Sequence, residues 1–259
     1  MISKSNKGVF LRRAALAGTA LSFIALAPAF ASGGGSGPNT STWTAAGTAA
    51  GGAGNNGTTI GTYTSGNGTF NISNVEQASG SWGNANVVIT TGSDGVQIAK
   101  GQTLTITATG GTTGPIQPTG INALIVDNSG TASDIDGSLI YNAANVYGGE
   151  AAVHSVDNLY IANPDGITVG AFGSIAVNVT YQTTIGDSYT SSQIYLEGYD
   201  ASGLGSNFNG YNGALKIGNG TGNITIASGA TFSAHKGDIG TPDVIVAGAG
   251  SINIGTAGS

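Results

Sequence analysis

The residues best suited to chemistry in this sequence are two aspartates, Asp134 and Asp136. Residues two apart on a β-strand point to the same face, so this spacing predicts two carboxylates side by side. Paired carboxylates act as acid and base in enzymes that cleave polysaccharides. Cleavage of uronates also needs cations against the developing negative charge, and beyond residue 31 the chain has no arginine and three scattered lysines. An enzyme is therefore a minor alternative, and we predict no catalytic residue.

Metal sites are not expected either. The sequence has no cysteine, and its two histidines, His154 and His235, stand far apart without an acid at ligand spacing. Asp94-Gly95 and Asp165-Gly166 resemble fragments of calcium loops, but the sequence lacks the alternating acids of a complete loop. Weak calcium binding at a loop stays open as an alternative, and we predict no cofactor.

A row of threonines occupies alternate positions between residues 103 and 109. On a β-strand this alternation places Thr103, Thr105, Thr107 and Thr109 on one face, which predicts an outward hydroxyl row. Such rows can bind ice, whereas a single row on one strand is usually a solvated sheet face.

Aromatic residues concentrate between residues 181 and 211, in a stretch rich in Gly, Ser and Asn. Aromatic and small polar residues together make good contact surfaces for sugars and proteins. The alternative is that they pack this segment onto the flank of the fold. The candidate adhesion patch consists of Tyr189, Tyr195, Tyr199, Phe208 and Tyr211.

The first 31 residues are predicted to be a signal peptide. Four basic residues precede an apolar stretch from Ala14 to Ala27, and Ala29-Phe30-Ala31 fits a cleavage site. The pair Arg12-Arg13 leaves a twin-arginine signal open. Removal of this segment leaves three lysines against thirteen acids, a net charge of −10. A chain so poor in cations is not expected to bind nucleic acid.

Composition indicates an all-β fold. Among 259 residues there are 46 glycines, and Thr, Asn and Ser fill much of the remainder, so helix formers are scarce. Residues 32–57 are predicted to be a Gly/Ser/Thr-rich flexible arm, with capping of the core by Trp43 as the alternative. Residues 58–259 are predicted to form a single domain of short strands with antiparallel excursions.

The segment Asn158–Gly170 shows how these strands are connected. Leu159 and Ile161 alternate with smaller or polar neighbours, and Asn163-Pro164-Asp165-Gly166 places four turn formers in a row before Ile167. Similar apolar pairs recur at separations of 16 to 29 residues, a rough period near twenty. Short strands and glycine corners at such a period predict a parallel β-helix, or β-solenoid.

The segment between about Leu124 and Gly255 resembles the secretion domain of filamentous-haemagglutinin-type exoproteins. The motif Asn163-Pro164-Asp165-Gly166-Ile167 is similar to the Asn-Pro-Asn-Gly-Ile corner of that family, with Asp165 at the second Asn. The flanking Ser133-x-Ile135-x-Gly137 and Gly173-Ser174-Ile175-x-Val177 fit the same pattern.

This resemblance implies a right-handed parallel β-helix of a Gram-negative cell surface. It also implies two-partner secretion, in which an outer-membrane pore partner exports the protein, and a role in adhesion or biofilm formation. The five motif residues would then serve folding and secretion. We therefore expect a secreted, non-enzymatic adhesin that contacts glycans or proteins on other cells. The alternative is a subunit that stacks end to end with itself into an extracellular fibre.

Overall fold

A computed structural model describes residues 38–47, 60–66, 68–76, 84–111, 120–146, 157–181, 192–210, 220–234, 244–248 and 250–256. All of them belong to one unit, Gly34–Ser259. The predicted signal peptide, residues 1–31, lies outside the described residues. Apart from a 3₁₀ turn at Gly205–Asn207, the regular structure in these ranges is β-strand. The predicted all-β class is therefore confirmed.

The strands are short and follow one another closely along the chain. They are β1 Thr44–Gly47, β2 Ile60–Gly66, β3 Thr69–Glu76, β4 Asn84–Thr90, β5 Gln97–Ile98, β6 Thr103–Gly110, β7 Gly120–Val126, β8 Ser133–Ile135, β9 Ser138–Val146, β10 Leu159–Ala162, β11 Ile167–Val169, β12 Ser174–Tyr181, β13 Ile194–Gly198, β14 Ile224–Ala227, β15 Thr231–Ser233, β16 Val244–Gly248 and β17 Ile252–Thr256.

These strands form three sheets. Sheet A has the order β1-β4-β7-β10-β13-β16, sheet B has β2-β3-β6-β9-β12-β15, and sheet C has β5-β8-β11-β14-β17. From β4 onward the chain visits sheets A, C and B in turn, so strands three apart in sequence are neighbours. We call each such set of three strands a layer. All pairs between layers are parallel.

From β4 to β13, one layer spans about 36 residues. Val87 pairs with Ala123, Ala123 with Leu159, and Leu159 with Ile194, which gives steps of 36, 36 and 35 residues. The period near twenty was wrong, because it counted consecutive strands that belong to different sheets. Leu159/Ile161 lies in sheet A, for example, whereas Ile175/Val177 lies in sheet B.

The main core is formed by alternate side chains from all three sheets. In one layer it contains Ile125 of sheet A, Ile135 of sheet C and Leu139 of sheet B, all without solvent exposure. Complete burial of each such side chain contributes about 1.5–3 kcal/mol. In-register pairing places equivalent apolar residues on top of one another from layer to layer, so the core continues across the layers.

The N-terminal side of this core carries antiparallel strands. β1 pairs antiparallel with β4, and β2 pairs antiparallel with β3. The short antiparallel excursions expected from the sequence are therefore present at this end of sheets A and B.

The predicted flexible arm is wrong for its described part, residues 38–47. Trp43 is 2% exposed and its ring lies 5.9 Å from that of Phe70. The hydroxyl of the buried Thr40 lies within hydrogen-bond distance of the carbonyl oxygens of Gly66 and Thr69 and donates to one of them at a time, which fastens the segment to β2 and β3. The capping alternative holds for Trp43, since burial of one indole outweighs the flexibility favoured by the glycines around it. The remainder of the arm lies outside the described residues.

Candidate functional site

The predicted corner at Asn163–Ile167 is a hydrogen-bonded turn. The amide of Gly166 donates to the carbonyl of Asn163 at 3.2 Å, and the Asn163 side-chain oxygen accepts the amide of Asp165 at 2.8 Å. Asn163 is fully buried, whereas Asp165 is exposed. The Asn163 side chain thus supplies an acceptor for a backbone amide that has no strand partner in the turn, as Asn side chains commonly do.

Gly166 is required by both conformation and space. Its φ is +117°, a region that residues with a Cβ rarely adopt. A Cβ atom there would approach the carbonyl oxygen of Asn223, in the next layer, to 2.7 Å. The amide of Ile167 donates to that same carbonyl at 2.9 Å, so the corner is close to its neighbour because the two layers are hydrogen-bonded.

A buried chain of polar side chains links this corner to the preceding ones. The Asn163 amide donates to the hydroxyl of Ser133 at 2.9 Å, and that hydroxyl donates to Asp127 at 2.6 Å. The other Asp127 oxygen accepts the Thr91 hydroxyl at 3.3 Å. Thr91, Asp127 and Asn163 follow one another at 36-residue steps, so this corner network, defined as these three residues and Ser133, connects three layers.

Asp127 is the central acceptor of the corner network. It is fully buried and also accepts the backbone amides of Val96 at 2.9 Å and Ser129 at 3.1 Å. Four donors thus converge on one carboxylate, which compensates for its desolvation. Its partners are backbone amides and hydroxyl groups of the fold itself, so Asp127 serves to hold the corners together.

A second set of linked polar side chains, which we call the asparagine ladder, runs along the outer face of sheet A. Asn122 donates to the side-chain oxygen of Asn86 at 3.0 Å and accepts the amide of Asn158 at 2.9 Å. Asn158 in turn donates to the carbonyl of Gly210 at 2.9 Å, and the Gly210 amide donates to Asn86 at 3.0 Å. Asn86 and Asn158 therefore hold the segment 199–210 directly, and Asn122 joins these two asparagines across the layer between them.

This segment buries part of the predicted adhesion patch. Tyr195 is 3% exposed and stacks on Tyr160 with 4.1 Å between ring centroids. Phe208 is fully buried, edge-on to Tyr160 at 5.3 Å. Neither ring is available at the surface, so the predicted patch is wrong for these two residues and the packing alternative holds. Tyr199 is half-buried, and Tyr189 and Tyr211 lie outside the described residues.

Asp157 is a buried carboxylate with an incomplete set of partners. One oxygen accepts the backbone amide of Ile121 at 2.7 Å, whereas the other has no hydrogen-bond partner. The Tyr141 hydroxyl lies nearby and donates to the carbonyl of Ile121 at 2.5 Å. Burial raises the pKa of Asp157 to about 7, although the hydrogen bond from Ile121 acts in the opposite direction.

The candidate carboxylate pair sits at the end of β8. The side chain of Asp134 is exposed, but partial desolvation of its carboxyl, together with the neighbouring charge of Asp136, raises its pKa. Asp136 lies just beyond the strand and accepts the amide of Phe172 at 3.3 Å. Lys100 lies over the Phe172 ring at 3.4 Å from its centroid. Both histidines lie outside the described residues, and in the described ranges no three acids or histidines are grouped as metal ligands would be.

The fold and the corner define an all-β protein built from three mostly parallel sheets. Comparison with protein-family models, with curated proteins and with solved structures found no match. In the part of the chain that the structure describes, no helix has the length and hydrophobicity needed to cross a membrane.

Two features of the site were not predicted from the sequence, although one left a signal. Asn86, Asn122 and Asn158 stand 36 residues apart, and each precedes an apolar run that becomes a strand of sheet A. A search for identical polar residues at a fixed spacing would have found this ladder. Asp127 has no comparable signal, because Thr91 and Asn163 occupy the equivalent corners.

Proposed function

We propose that this chain is a secreted, non-enzymatic surface protein built as a right-handed parallel β-helix and acting in adhesion or in a biofilm matrix. The observation that carries this proposal is the layered register, in which the same corner position recurs at 36-residue steps over the first three layers. Parallel strands joined by crossovers take the right-handed form almost without exception, which supports the handedness.

The use of the buried polar groups supports a non-enzymatic role. Asp127, Asn158 and Asn163 each accept or donate to backbone groups of neighbouring layers. An active site instead needs polar groups left free for a substrate. The resemblance of the Asn163–Ile167 corner to haemagglutinin-type secretion domains supports export through an outer-membrane pore partner.

The location and the adhesive role are tested together in the organism that carries the chain. We expect the secreted protein to begin at Ser32 and to disappear from the surface when the pore partner is deleted. We also expect a strain that lacks the protein to attach less to cells or glycan-coated surfaces. Complementation with full-length wild-type protein would restore attachment, and normal attachment without the protein would contradict the role.

A matched pair of variants separates adhesion from secretion. Replacing Tyr189, Tyr199 and Tyr211 by Ser changes every tyrosine of the patch except the buried Tyr195. We expect normal secretion with reduced attachment. Thr225→Ser, on the outer face of sheet C, serves as the control and should leave attachment unchanged.

The second candidate is a subunit of an extracellular fibre, favoured by the C-terminal end of the sheets. Ile252 and Ile254 pair with the core residues Ile224 and Ile226, yet they are 44% and 66% exposed. They belong to β17, the last strand of sheet C. Open edges with apolar side chains favour addition of further strands. A second copy that stacks on this end would extend the core.

Negative-stain microscopy of the purified secreted protein tests the fibre. Ile254→Lys places a charge on the core side of β17, whereas Asn253→Lys places the same charge on the opposite side. We expect wild type and Asn253→Lys to form fibres and Ile254→Lys to remain as single particles. Single particles of the wild type at high concentration would contradict the fibre.

A further inference from the structure

The outer face of sheet B is a regular array of uncharged polar groups. Alternate residues of β6, β9 and β12 point inward into the core, so the residues between them face outward. β6 and β9 are in register over seven consecutive pairs, Thr103↔Ser138 to Thr109↔Ala144, and β9 and β12 match without a shift from Ser138↔Ser174 to Ala144↔Thr180. The threonine row found in the sequence is therefore one line of a grid.

The rows of this grid cross the strands and repeat one chemical type. One row consists of hydroxyls, Thr103, Ser138, Ser174 and Thr231. A second row consists mainly of amides, Asn71, Thr107, Asn142 and Asn178. Neighbours in a row are about 4.8 Å apart, and neighbours along a strand that share a face are about 6.6 Å apart.

Hydrogen bonds within the rows fix the positions of these groups. The Ser174 hydroxyl donates to that of Ser138 at 3.0 Å. The Asn178 amide donates to the oxygen of Asn142 at 3.0 Å, and the Asn142 amide reaches the Thr107 hydroxyl at 3.5 Å. Side chains held in this way lose little further freedom when they bind a ligand.

No charged residue interrupts the outward positions of β6, β9 and β12, although the whole chain carries a net charge of −6. The only departures from hydroxyls and amides are Ile140, Ala144 and Ala176, which add methyl groups between the polar rows. An uncharged face excludes partners that bind through ionic contacts, such as nucleic acids or acidic polysaccharides. Regular spacing selects a partner whose own hydrogen-bonding groups repeat.

We propose that this face, defined by the outward residues of β6, β9 and β12, binds the surface of ice. Ice is uncharged, offers donors and acceptors in a fixed lattice, and accommodates methyl groups in the spaces of that lattice. Charged side chains orient the surrounding water strongly and would disturb such a match. The property is independent of the adhesive role proposed above, because it is measured without cells or surfaces.

The experiment measures recrystallisation of ice in a frozen sucrose solution that contains the purified secreted protein. We expect the wild type to stop crystal growth and Thr107→Lys, on β6 in the row of amides, to be defective. Loss of one or two net hydrogen bonds would raise the effective protein concentration about tenfold. Thr225→Lys, on the outer face of sheet C, carries the same charge and should match the wild type.

Asn178→Lys is the second grid variant, at an exposed position that tolerates a long side chain. If Thr107→Lys is not secreted, Asn178→Lys can be compared with the wild type in its place. Circular dichroism is used to confirm that each variant is folded. Unaltered ice growth with the wild type would overturn the proposal, as would equal activity of the grid and control variants. Binding to insoluble cellulose with the same variant dependence, in the absence of any effect on ice, would assign the face to a neutral polysaccharide instead.

Discussion

Replacing Asp157 by Asn should make the protein more stable at alkaline pH and less stable at acidic pH. In the native state the pKa of Asp157 is raised from 3.8 to about 7 by burial. Because this pKa is higher in the folded than in the unfolded protein, the folded state is more stable when the Asp157 carboxyl is protonated. The free energy of unfolding therefore falls as the pH rises from about 4 to about 7, and it is constant with respect to this group above that range.

The size of the effect follows from the shift. A difference of about three pH units corresponds to about 4 kcal/mol at 1.36 kcal/mol per unit. Asparagine keeps the acceptor for the Ile121 amide, but its NH₂ group would occupy the place of the oxygen that has no partner, at a cost of about 1–3 kcal/mol. We expect a net gain of about 1–3 kcal/mol at pH 8 and a loss of similar size at pH 4.

Urea denaturation of the wild type and of Asp157→Asn at several pH values between 4 and 8 measures this change in the sign of the stability difference. Asp127→Asn is the matched contrast, since Asp127 is equally buried but accepts four hydrogen bonds. An NH₂ group facing those donors should destabilise the protein by about 2–3 kcal/mol at pH 8. If Asp157→Asn kept the pH slope of the wild type, the assignment of that slope to Asp157 would be refuted.

Three further substitutions test the corner, the N-terminal cap and the asparagine ladder. Gly166→Val should sharply reduce the secreted yield, because residue 166 has a positive φ and a side chain there would meet the backbone of Asn223. Gly130→Ala, at φ +82° in open space, should reduce the yield less, and equal yields of the two variants would contradict this. Trp43→Ala should lower the free energy of unfolding, measured in urea, by about 3–5 kcal/mol, because the indole is buried. An unchanged free energy of unfolding would support the predicted flexible arm instead. Asn122→Ala should expose the segment 199–210 to limited proteolysis, because it removes the central member of the ladder, and unchanged cleavage would count against that role.

The corner could be predicted from the sequence because its causes are local. Pro164 and Gly166 restrict or permit particular backbone angles whatever surrounds them, and the structure has the turn and the positive φ at Gly166. Alternation likewise located the strands Leu159–Ala162 and Thr103–Gly110, since the pattern reflects which side of each strand is buried.

The features that depend on distant contacts could not be predicted in the same way. Tyr195 and Phe208 appeared to be surface residues because alternation does not say what covers the outer face of a sheet. The cover is the segment 199–210, held by Asn86, which precedes Gly210 by 124 residues. Burial of Trp43 was only the alternative prediction for the same reason, since its partner Phe70 lies in β3, beyond a glycine-rich stretch.

The pairing of each layer only with its neighbours has a consequence for the order in which the chain can fold. β4, β5 and β6 find their later partners in β7, β8 and β9, so the first two layers are complete by residue 146. A chain emerging from a pore N-terminus first could therefore fold progressively, each finished layer serving as a template for the next. The segment 199–210 is different, because it hydrogen-bonds to Asn86 and Asn158, two layers apart, and Asn122 joins these two asparagines. It can dock only after those layers exist, so its hydrogen bonds form last among those that involve the three asparagines.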